Sequence, residues 1–318
     1  MAGIIIFPNE LSPRWVRQIR ESGLDFVALH PALPSDSGKD YMADIIERMQ
    51  DPVFTGMIDE LRAAGITVEF ELHAMSWLLP RSEFDAHPEW FRCAAEGEDT
   101  RTADFNLCPS SEEALQVVED RAAELAAILP SPQSHRYFFW LDDVASASCH
   151  CPKCASLTPA DQAMILYNRI LKGIRRTDPL AVQCYLAYVD TITAPEHVKP
   201  DEGIFLEYAP FTRVSGVAIN DPRCPQNVDQ TRGLTELMQV FGTKGSQVLE
   251  YWLDNSRFYG WREPYGEMPF YRSVIRQDAE FYRSLGFEKM TCFACRLGDD
   301  YAARYGEPPI AEYADLLK

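Results

Sequence analysis

Eight short segments of mostly apolar residues recur along the chain, and longer segments with helical patterns separate them. Each short segment is apolar almost throughout, which is typical of strands that are covered on both faces. Repeated alternation of strand and helix builds a parallel sheet with helices packed outside it, so the pattern predicts an α/β fold, a single (β/α)8 TIM barrel. The predicted strands are 3–7, 25–30, 67–73, 137–142, 182–188, 204–208, 247–252 and 289–295.

Three features of the connections refine this prediction. Ser110 and Glu113 predict a capping box at the start of a helix over 114–129. Asn227 precedes a predicted helix that ends near Gly242. The connection 188–204 contains two prolines and has room for little more than one helical turn, so we expect the fifth helix of the barrel to be degenerate.

Long connections follow the third, fourth, sixth and seventh strands. They leave the carboxyl ends of the strands, which is where barrel enzymes carry their active sites. A length of 318 residues fits one α/β barrel, so the sequence predicts a single domain over 1–318 with insertions at about 76–109 and 144–157.

The charge of the chain limits its partners. The chain has 30 Lys and Arg against 48 Asp and Glu, a net charge of −18, and such a surface repels nucleic-acid phosphates and anionic membranes. No apolar run approaches the roughly 20 residues that span a bilayer, and no basic leader precedes the first strand. We therefore expect a cytoplasmic protein with a neutral or polar small-molecule substrate and with no membrane or nucleic-acid partner; the oligomeric state stays open.

Acidic residues stand at the ends of several predicted strands, beside tryptophans and tyrosines whose flat faces suit sugar rings. Glycoside hydrolysis needs one carboxylic acid to protonate the leaving oxygen and a second to stabilise positive charge at the anomeric carbon. Asp142 and Asp143 are adjacent, so at most one faces the barrel axis while the strand stays extended. We predict a catalytic role for at least one of them, with capping of the following loop as the alternative.

Glu250 lies inside an apolar strand, where a carboxylate is costly unless it is paired or functional. A catalytic role and a structural ion pair with Arg257 or another cation are both open. A buried, hydrogen-bonded role is the commoner outcome for His73, and Arg213 and Arg296 either clamp a substrate carboxylate or neutralise nearby acids. The predicted substrate-binding residues are Glu71, His73, Trp77, Tyr188, Glu207, Tyr208, Arg213, Trp252 and Arg296.

Three cysteines lie within six residues, at Cys149, Cys151 and Cys154. They can wrap one tetrahedral zinc ion if Cys108, Cys224 or His150 supplies the fourth ligand. Such a zinc would be structural, and we expect the chemistry itself to require no cofactor. The alternative is that the cysteines bind no metal and pack as small apolar residues, because nine cysteines are too sparse for a disulfide scaffold.

Several motifs resemble one known family. They are 87–91 (His-Pro-Glu-Trp-Phe), 106–110 (Asn-Leu-Cys-Pro-Ser), 141–143 (Leu-Asp-Asp) and the three clustered cysteines, followed by Asn168, Pro179, Tyr188, Arg213, Cys224 with Asn227, and 301–306. From Ser76 to the C-terminus the chain is similar to the domain-of-unknown-function 4838 proteins, which are related to glycoside hydrolase family 163. Relatives are often secreted and carry an accessory N-terminal domain, whereas we expect this chain to have neither a signal sequence nor that domain.

The resemblance implies a barrel hydrolase that acts on N-acetylglucosamine-containing glycans with retention of configuration. Asp143 matches the aspartate before the cysteine run, which implies that it is the general acid; Glu250 is the second candidate. In hexosaminidases with an acidic pair after the fourth strand, one acid orients the substrate acetamido group and the other protonates the leaving oxygen, which would give Asp142 and Asp143 complementary roles. Two other classes stay open: a sugar isomerase or epimerase with a divalent cation on Glu71, Asp143 and Glu250, and a non-catalytic carbohydrate-binding barrel.

Overall fold

A computed structural model describes residues 1–31, 41–95 and 100–318. Its eight strands form one sheet in chain order, and the pairs β1–β2, β2–β3, β4–β5 and β7–β8 are all parallel, which confirms the predicted (β/α)8 fold. The strands are β1 Gly3–Ile6, β2 Phe26–Leu29, β3 Thr67–His73, β4 Arg136–Trp140, β5 Val182–Ala187, β6 Ile204–Tyr208, β7 Gln247–Glu250 and β8 Lys289–Cys292.

Six of the strands end one to three residues before their predicted ends, whereas β3 and β6 match the prediction. Leu141 and Asp142 therefore lie beyond β4, and Tyr251 and Trp252 lie beyond β7. Apolar composition alone does not distinguish the last paired residue of a strand from the first residue of a buried loop, because both are covered.

The longer helices lie in the connections between strands and after β8. They are Pro13–Ser22, Tyr41–Arg48, Pro52–Ala63, Glu112–Ile128, Pro159–Ile174, Pro225–Thr231, Leu234–Phe241, Arg272–Ser284, Asp299–Tyr305 and Ile310–Leu316; two single turns are Met75–Leu78 and Asn255–Phe258. The predicted capping residue was wrong by one position, since Ser111 and not Ser110 accepts the N–H of Ala114. The single helix predicted up to Gly242 is two helices, interrupted at Arg232 and Gly233.

The connection after β5 lacks a crossover helix, as predicted: residues 188–203 contain only the 3-10 turn Val189–Thr191. Asp161 orders this connection, because its Oδ1 accepts the backbone N–H groups of residues 196–198 at 2.7–3.0 Å. The ring of Tyr185 on β5 stacks on Phe241 with centroids 4.8 Å apart and meets Tyr167 edge-on at 5.5 Å. The helix Leu234–Phe241 thus covers part of β5 in place of the missing helix.

The contacts of the chain divide it into two compact units. The first unit comprises 1–71, 208–232 and 243–318 and contains β1, β2, β7 and β8; within it β1 pairs with β8 at Ala2–Met290 and Ile5–Phe293. The second unit comprises 72–207 and 233–242 and contains β4 and β5. In the part of the chain that the structure describes, no helix has the length and apolar character needed to cross a bilayer.

Candidate functional site

Asp142 lies just beyond the carboxyl end of β4 and is fixed by three contacts. Arg81 Nη2 and the backbone N–H of Asn106 both donate to Asp142 Oδ2 at 2.5 Å, and the side-chain oxygen of Asn106 accepts the Asp142 N–H at 3.0 Å. The Asp142 side chain is 16% exposed. These contacts hold the Asp142 carboxylate in one orientation.

Asp143 has a different environment. Its side chain is exposed, and its Oδ1 accepts a hydrogen bond from the hydroxyl of Tyr188 at 2.8 Å. Tyr188 is the first residue after β5, so the ends of two neighbouring strands bring these groups together. The two adjacent acids thus consist of one fixed carboxylate and one accessible carboxylate.

A narrow cleft adjoins this acid pair within the second unit. It is lined by Asp142, His73, Tyr188 and Asp190 together with apolar side chains such as Leu186, and its volume is about 50 Å³. The imidazole Nδ1 of His73 bonds the carbonyl of residue 141. A cleft of this size has room for a few water molecules.

The backbone around the acid pair is strained. Three of the six non-glycine residues with left-handed φ in the described ranges lie here: Asn106 at 44°, Ser146 at 59° and Val189 at 46°. A β-branched residue such as Val189 is a rare outlier in this region. Ser146 donates its N–H to the carboxylate of Asp190. Strained backbone of this kind clusters at functional sites, where the surrounding structure over-determines it.

Three predicted substrate-binding residues make contacts within the protein. Glu207 is fully buried, and its Oε2 accepts from the indole of Trp140 at 2.9 Å. Tyr208 is also fully buried and donates its hydroxyl to the carbonyl of residue 230 at 2.9 Å. Trp77 packs under the guanidinium of Arg121, 4.5 Å from its ring centroid.

Glu250 lies in a buried ionic network. Arg213 Nη1 donates to Glu250 Oε1 and to Asp278 Oδ2, both at 2.6 Å, and the Tyr282 hydroxyl donates to Glu250 Oε1 at 2.6 Å. Trp252 donates its indole N–H to Asp278 at 2.9 Å. Burial raises the pKa of Glu250 and of Asp278, against the attraction of Arg213.

The side chain of Glu250 faces the helices and not the barrel interior. Asp278 and Tyr282 belong to the helix Arg272–Ser284, whereas Gln247, on the other face of β7, donates to Glu71 Oε1 at 3.3 Å. Glu71 and Glu250 are both fully buried. The ion pair considered for Glu250 is therefore present, and its cation is Arg213 rather than Arg257. Arg213 and Trp252 take part in the same network, in which Arg213 pairs with both acids.

A second cleft, in the first unit, contains an acid that sequence reasoning missed. Glu10 follows β1 in the 3-10 turn Pro8–Glu10, and its two carboxyl oxygens accept the N–H groups of Arg296 and Gly298 at 3.2 Å. Burial raises the pKa of Glu10 to about 7. The cleft holds about 440 Å³, and Tyr265 and Arg296 also line it. The only sequence signal was an acid shortly after a strand, outside the strand itself.

Aromatic side chains gather beyond the ends of β7 and β8 in the same unit. The ring of Tyr251 stacks on Phe293 at 5.6 Å and meets Phe211 edge-on at 5.3 Å, and Phe211 lies 5.9 Å from Trp261. Trp261 is 48% exposed. This aromatic patch offers flat apolar faces of the type that pack against sugar rings.

The cysteines form a compact buried group. The Sγ atoms of Cys108, Cys149, Cys151 and Cys154 all lie within 4.8 Å of one another. Within the described ranges, the other group of potential metal ligands at this spacing is His87, Glu89 and Glu113. The carboxylates required by the isomerase hypothesis belong to neither group.

The fold and the acids beyond its strands place the chain among the (β/α)8 barrel proteins with polar groups at the carboxyl ends of the strands. The chain belongs to the DUF4838 family, described as a domain of unknown function, whose profile matches residues 36–292. The family predicted from the motifs is thereby confirmed. A comparison with curated proteins gave no match.

Solved structures share the fold at low sequence identity. The cellulose synthase subunit Z (CcsZ) of Clostridioides difficile is 10% identical with a TM-score of 0.51, over 99% of this chain and 98% of that one. The endo-β-1,4-glucanase Xac0029 of Xanthomonas axonopodis pv. citri is 10% identical with a TM-score of 0.52, over 99% and 98%. A family 20 β-N-acetylglucosaminidase is 13% identical with a TM-score of 0.50, over 99% of this chain and 68% of that one. At these identities the likeness shows the fold alone.

Proposed function

We propose that the protein is a retaining glycoside hydrolase that acts on oligosaccharides containing N-acetylhexosamine. In this proposal Asp143 is the general acid and Asp142 orients the substrate acetamido group. The observation that carries the proposal is the unlike environment of two adjacent carboxylates. Asp142 is ion-paired with Arg81 and bonded to Asn106, whereas Asp143 is exposed and bonded to the hydroxyl of Tyr188.

The chemistry proceeds in two steps. In the first, the acetamido carbonyl oxygen of the substrate attacks the anomeric carbon, the glycosidic C–O bond breaks, and the carboxyl group of Asp143 donates its proton to the leaving oxygen. Asp142 accepts a hydrogen bond from the acetamido N–H and stabilises the positive charge of the oxazolinium ion. In the second step, the Asp143 carboxylate removes a proton from water as the water oxygen attacks the anomeric carbon. The C–O bond of the oxazolinium ring breaks, which restores the acetamido group and gives a product with net retention.

The position of Glu250 favours substrate assistance over a protein nucleophile. A nucleophilic carboxylate must contact the anomeric carbon, and retaining enzymes hold it about 5–5.5 Å from the acid. The Glu250 side chain is fully buried and its Oε1 is bonded to both Arg213 and Tyr282. The acetamido oxygen of the substrate can take the part of the nucleophile without any such residue.

The proposal is tested with aryl glycosides. We expect the full chain to hydrolyse 4-nitrophenyl N-acetylhexosaminides and not the matching 2-hydroxy glycosides, and to be inhibited by a thiazoline analogue of the oxazoline. Asp143→Asn should lower kcat by about 10²–10⁴-fold, as expected on loss of a general acid. A 2,4-dinitrophenyl leaving group, which needs little protonation, should restore much of the rate.

Asp142→Asn should weaken thiazoline inhibition as well as lower kcat, because it alters the contact with the acetamido group. Asp59→Asn is the matched control: this carboxylate is 74% exposed on the helix Pro52–Ala63, and its loss should leave the rates unchanged. Wild-type rates in Asp143→Asn, or equal rates on substrates with and without the acetamido group, would overturn the assignment. Sugar binding without turnover would favour a non-catalytic binding protein.

A further inference from the structure

The four clustered sulfur atoms are spaced like the ligands of one metal ion. Cys108 Sγ lies 3.7 Å from Cys151 Sγ and 3.8 Å from Cys154 Sγ. In a tetrahedral zinc site with Zn–S bonds of about 2.3 Å, the sulfurs are about 3.8 Å apart. A disulfide would instead require about 2.05 Å, and all four of these cysteines are free thiols.

The surroundings of the sulfurs suit thiolates. The N–H of Cys93 donates to Cys149 Sγ at 3.3 Å, and Arg101 Nη1 lies 3.8 Å from the same sulfur. Ser110 Oγ lies 3.1 Å from Cys108 Sγ. Four thiolates around a divalent cation carry a net charge of −2, and these donors, one of them a cation, offset part of that charge. The sulfur of Cys93 itself is directed to the carbonyl of residue 95.

We propose that Cys108, Cys149, Cys151 and Cys154 bind one structural zinc ion. All four are at least 98% buried, and four protein ligands complete a tetrahedral site, so no position is open for substrate or water. Of the three residues considered from the sequence as the fourth ligand, Cys108 is the one that joins the group.

The site joins two connections that are separate in the sequence. Cys108 lies in the connection after β3, and the other three ligands lie in the connection after β4. Asn106, two residues before Cys108, holds Asp142 through both its backbone N–H and its side chain. Zinc would therefore fix the position of Asn106 and act as a positioning element for the acid pair, a consequence that rests on the proposed function; zinc binding itself does not.

Metal analysis of the purified full chain tests the site without reference to activity. We expect one zinc per chain by inductively coupled plasma mass spectrometry, and release of that zinc when an organomercurial titrates the thiols. Cobalt exchanged into the protein should give the intense visible d–d bands and the near-ultraviolet charge-transfer band of a tetrahedral thiolate site. Iron in place of zinc, no mercurial-dependent release, or a disulfide found by peptide mapping would overturn the proposal.

Variants separate the site from the other thiols. Cys151→Ser should retain less than a tenth of the zinc after dialysis against a weak chelator, whereas Cys224→Ser, at a half-buried cysteine outside the group, should retain all of it. Equal zinc retention in the two variants would contradict the ligand assignment. If Cys151→Ser does not fold, the mercurial and cobalt measurements on the wild-type protein decide the question.

Discussion

Arg213→Met should be among the most destabilising single substitutions in this protein. The Arg213 side chain is 1% exposed, and one of its nitrogens donates to two buried carboxylates, Glu250 and Asp278, each at 2.6 Å. Methionine fills much of the same volume but leaves both carboxylates without their cation. Removing one partner of a buried ionic group typically costs about 3–5 kcal/mol of folding free energy.

Glu250→Gln should cost far less. The amide oxygen can still accept from Arg213 and Tyr282, and Arg213 then pairs with Asp278 alone, one charge against one. The amide NH2 would face the Tyr251 N–H, which now donates to Glu250 Oε2 at 3.3 Å, so we expect a cost of about 1–2 kcal/mol. A small loss of folding free energy in Glu250→Gln and a large loss in Arg213→Met would show that the guanidinium compensates the negative charge of the two acids.

The pH dependence of stability provides a second measure of the compensation by Arg213. Burial raises the pKa of Glu250 and Asp278, so ionising them costs more in the folded than in the unfolded state. The contribution of these two acids to stability is therefore greatest where both are protonated, and it falls as pH rises from their ordinary pKa values through the folded ones. Without the attraction of Arg213 this fall becomes larger and extends to higher pH, so Arg213→Met should lose more stability at pH 8 than at pH 5. Urea unfolding followed by circular dichroism measures the free energy of unfolding of the wild type and of Arg213→Met at each pH. If Arg213→Met lost less than about 1 kcal/mol at pH 8, Arg213 would not be compensating the buried negative charge.

Three further predictions concern other parts of the chain. Burial raises the pKa of Glu10 from 4.5 to about 7, so the contribution of Glu10 to stability should fall between pH 4.5 and 8. Glu10→Gln cannot titrate, so in urea unfolding its stability should fall by about 1–3 kcal/mol less than that of the wild type over this pH range, allowing for partial solvation of the carboxyl group. Tyr188→Phe should lower kcat on aryl N-acetylhexosaminides about tenfold by removing the hydrogen bond to the proposed acid, the rate equivalent of about 1.4 kcal/mol. Gly173→Ala should lower the free energy of unfolding by about 1–3 kcal/mol, since its Cβ would lie 2.1 Å from the carbonyl oxygen of Glu119 on the adjacent helix.

Each of these has an outcome that would count against it. Parallel stability profiles for wild type and Glu10→Gln would show that the carboxyl group titrates normally. An unchanged kcat in Tyr188→Phe would separate that hydroxyl from the chemistry. Gly56→Ala, in a helix with nothing within 4 Å of the added Cβ, is the control for Gly173→Ala and should be neutral or slightly stabilising; equal losses in the two would exclude the steric explanation.

The fold was predictable because its signal is repeated and local. Each apolar run needs only its own composition to be recognised, and the order of the sheet follows from the rule that a strand, a helix and the next strand lie side by side. The prediction of finer features was wrong where two neighbouring residues were almost equally suited to the same role. Ser110 and Ser111 are adjacent and equally able to cap a helix, and only the path of the chain selects Ser111.

The site was only partly predictable for a different reason. A strand covered on both faces has no polar alternation to show which side chains face the interior. Composition therefore cannot place Glu250 toward the helices and Gln247 toward Glu71. The partners of buried acids are also distant: Arg213 is 37 residues from Glu250, and Arg296 is 286 residues from Glu10. The position of Asp142 and Asp143 beyond β4 could be predicted because it depends on the end of one strand alone.

The covering of β5 by the helix Leu234–Phe241 affects how this chain can be re-engineered. The ring of Tyr185 is shielded by Phe241, which belongs to the connection after β6. Exchanging or shortening that connection would expose the aromatic ring of Tyr185 on β5, and exposed apolar surface promotes aggregation. In any exchange between barrels, β5 and the connection after β6 must therefore be transferred together.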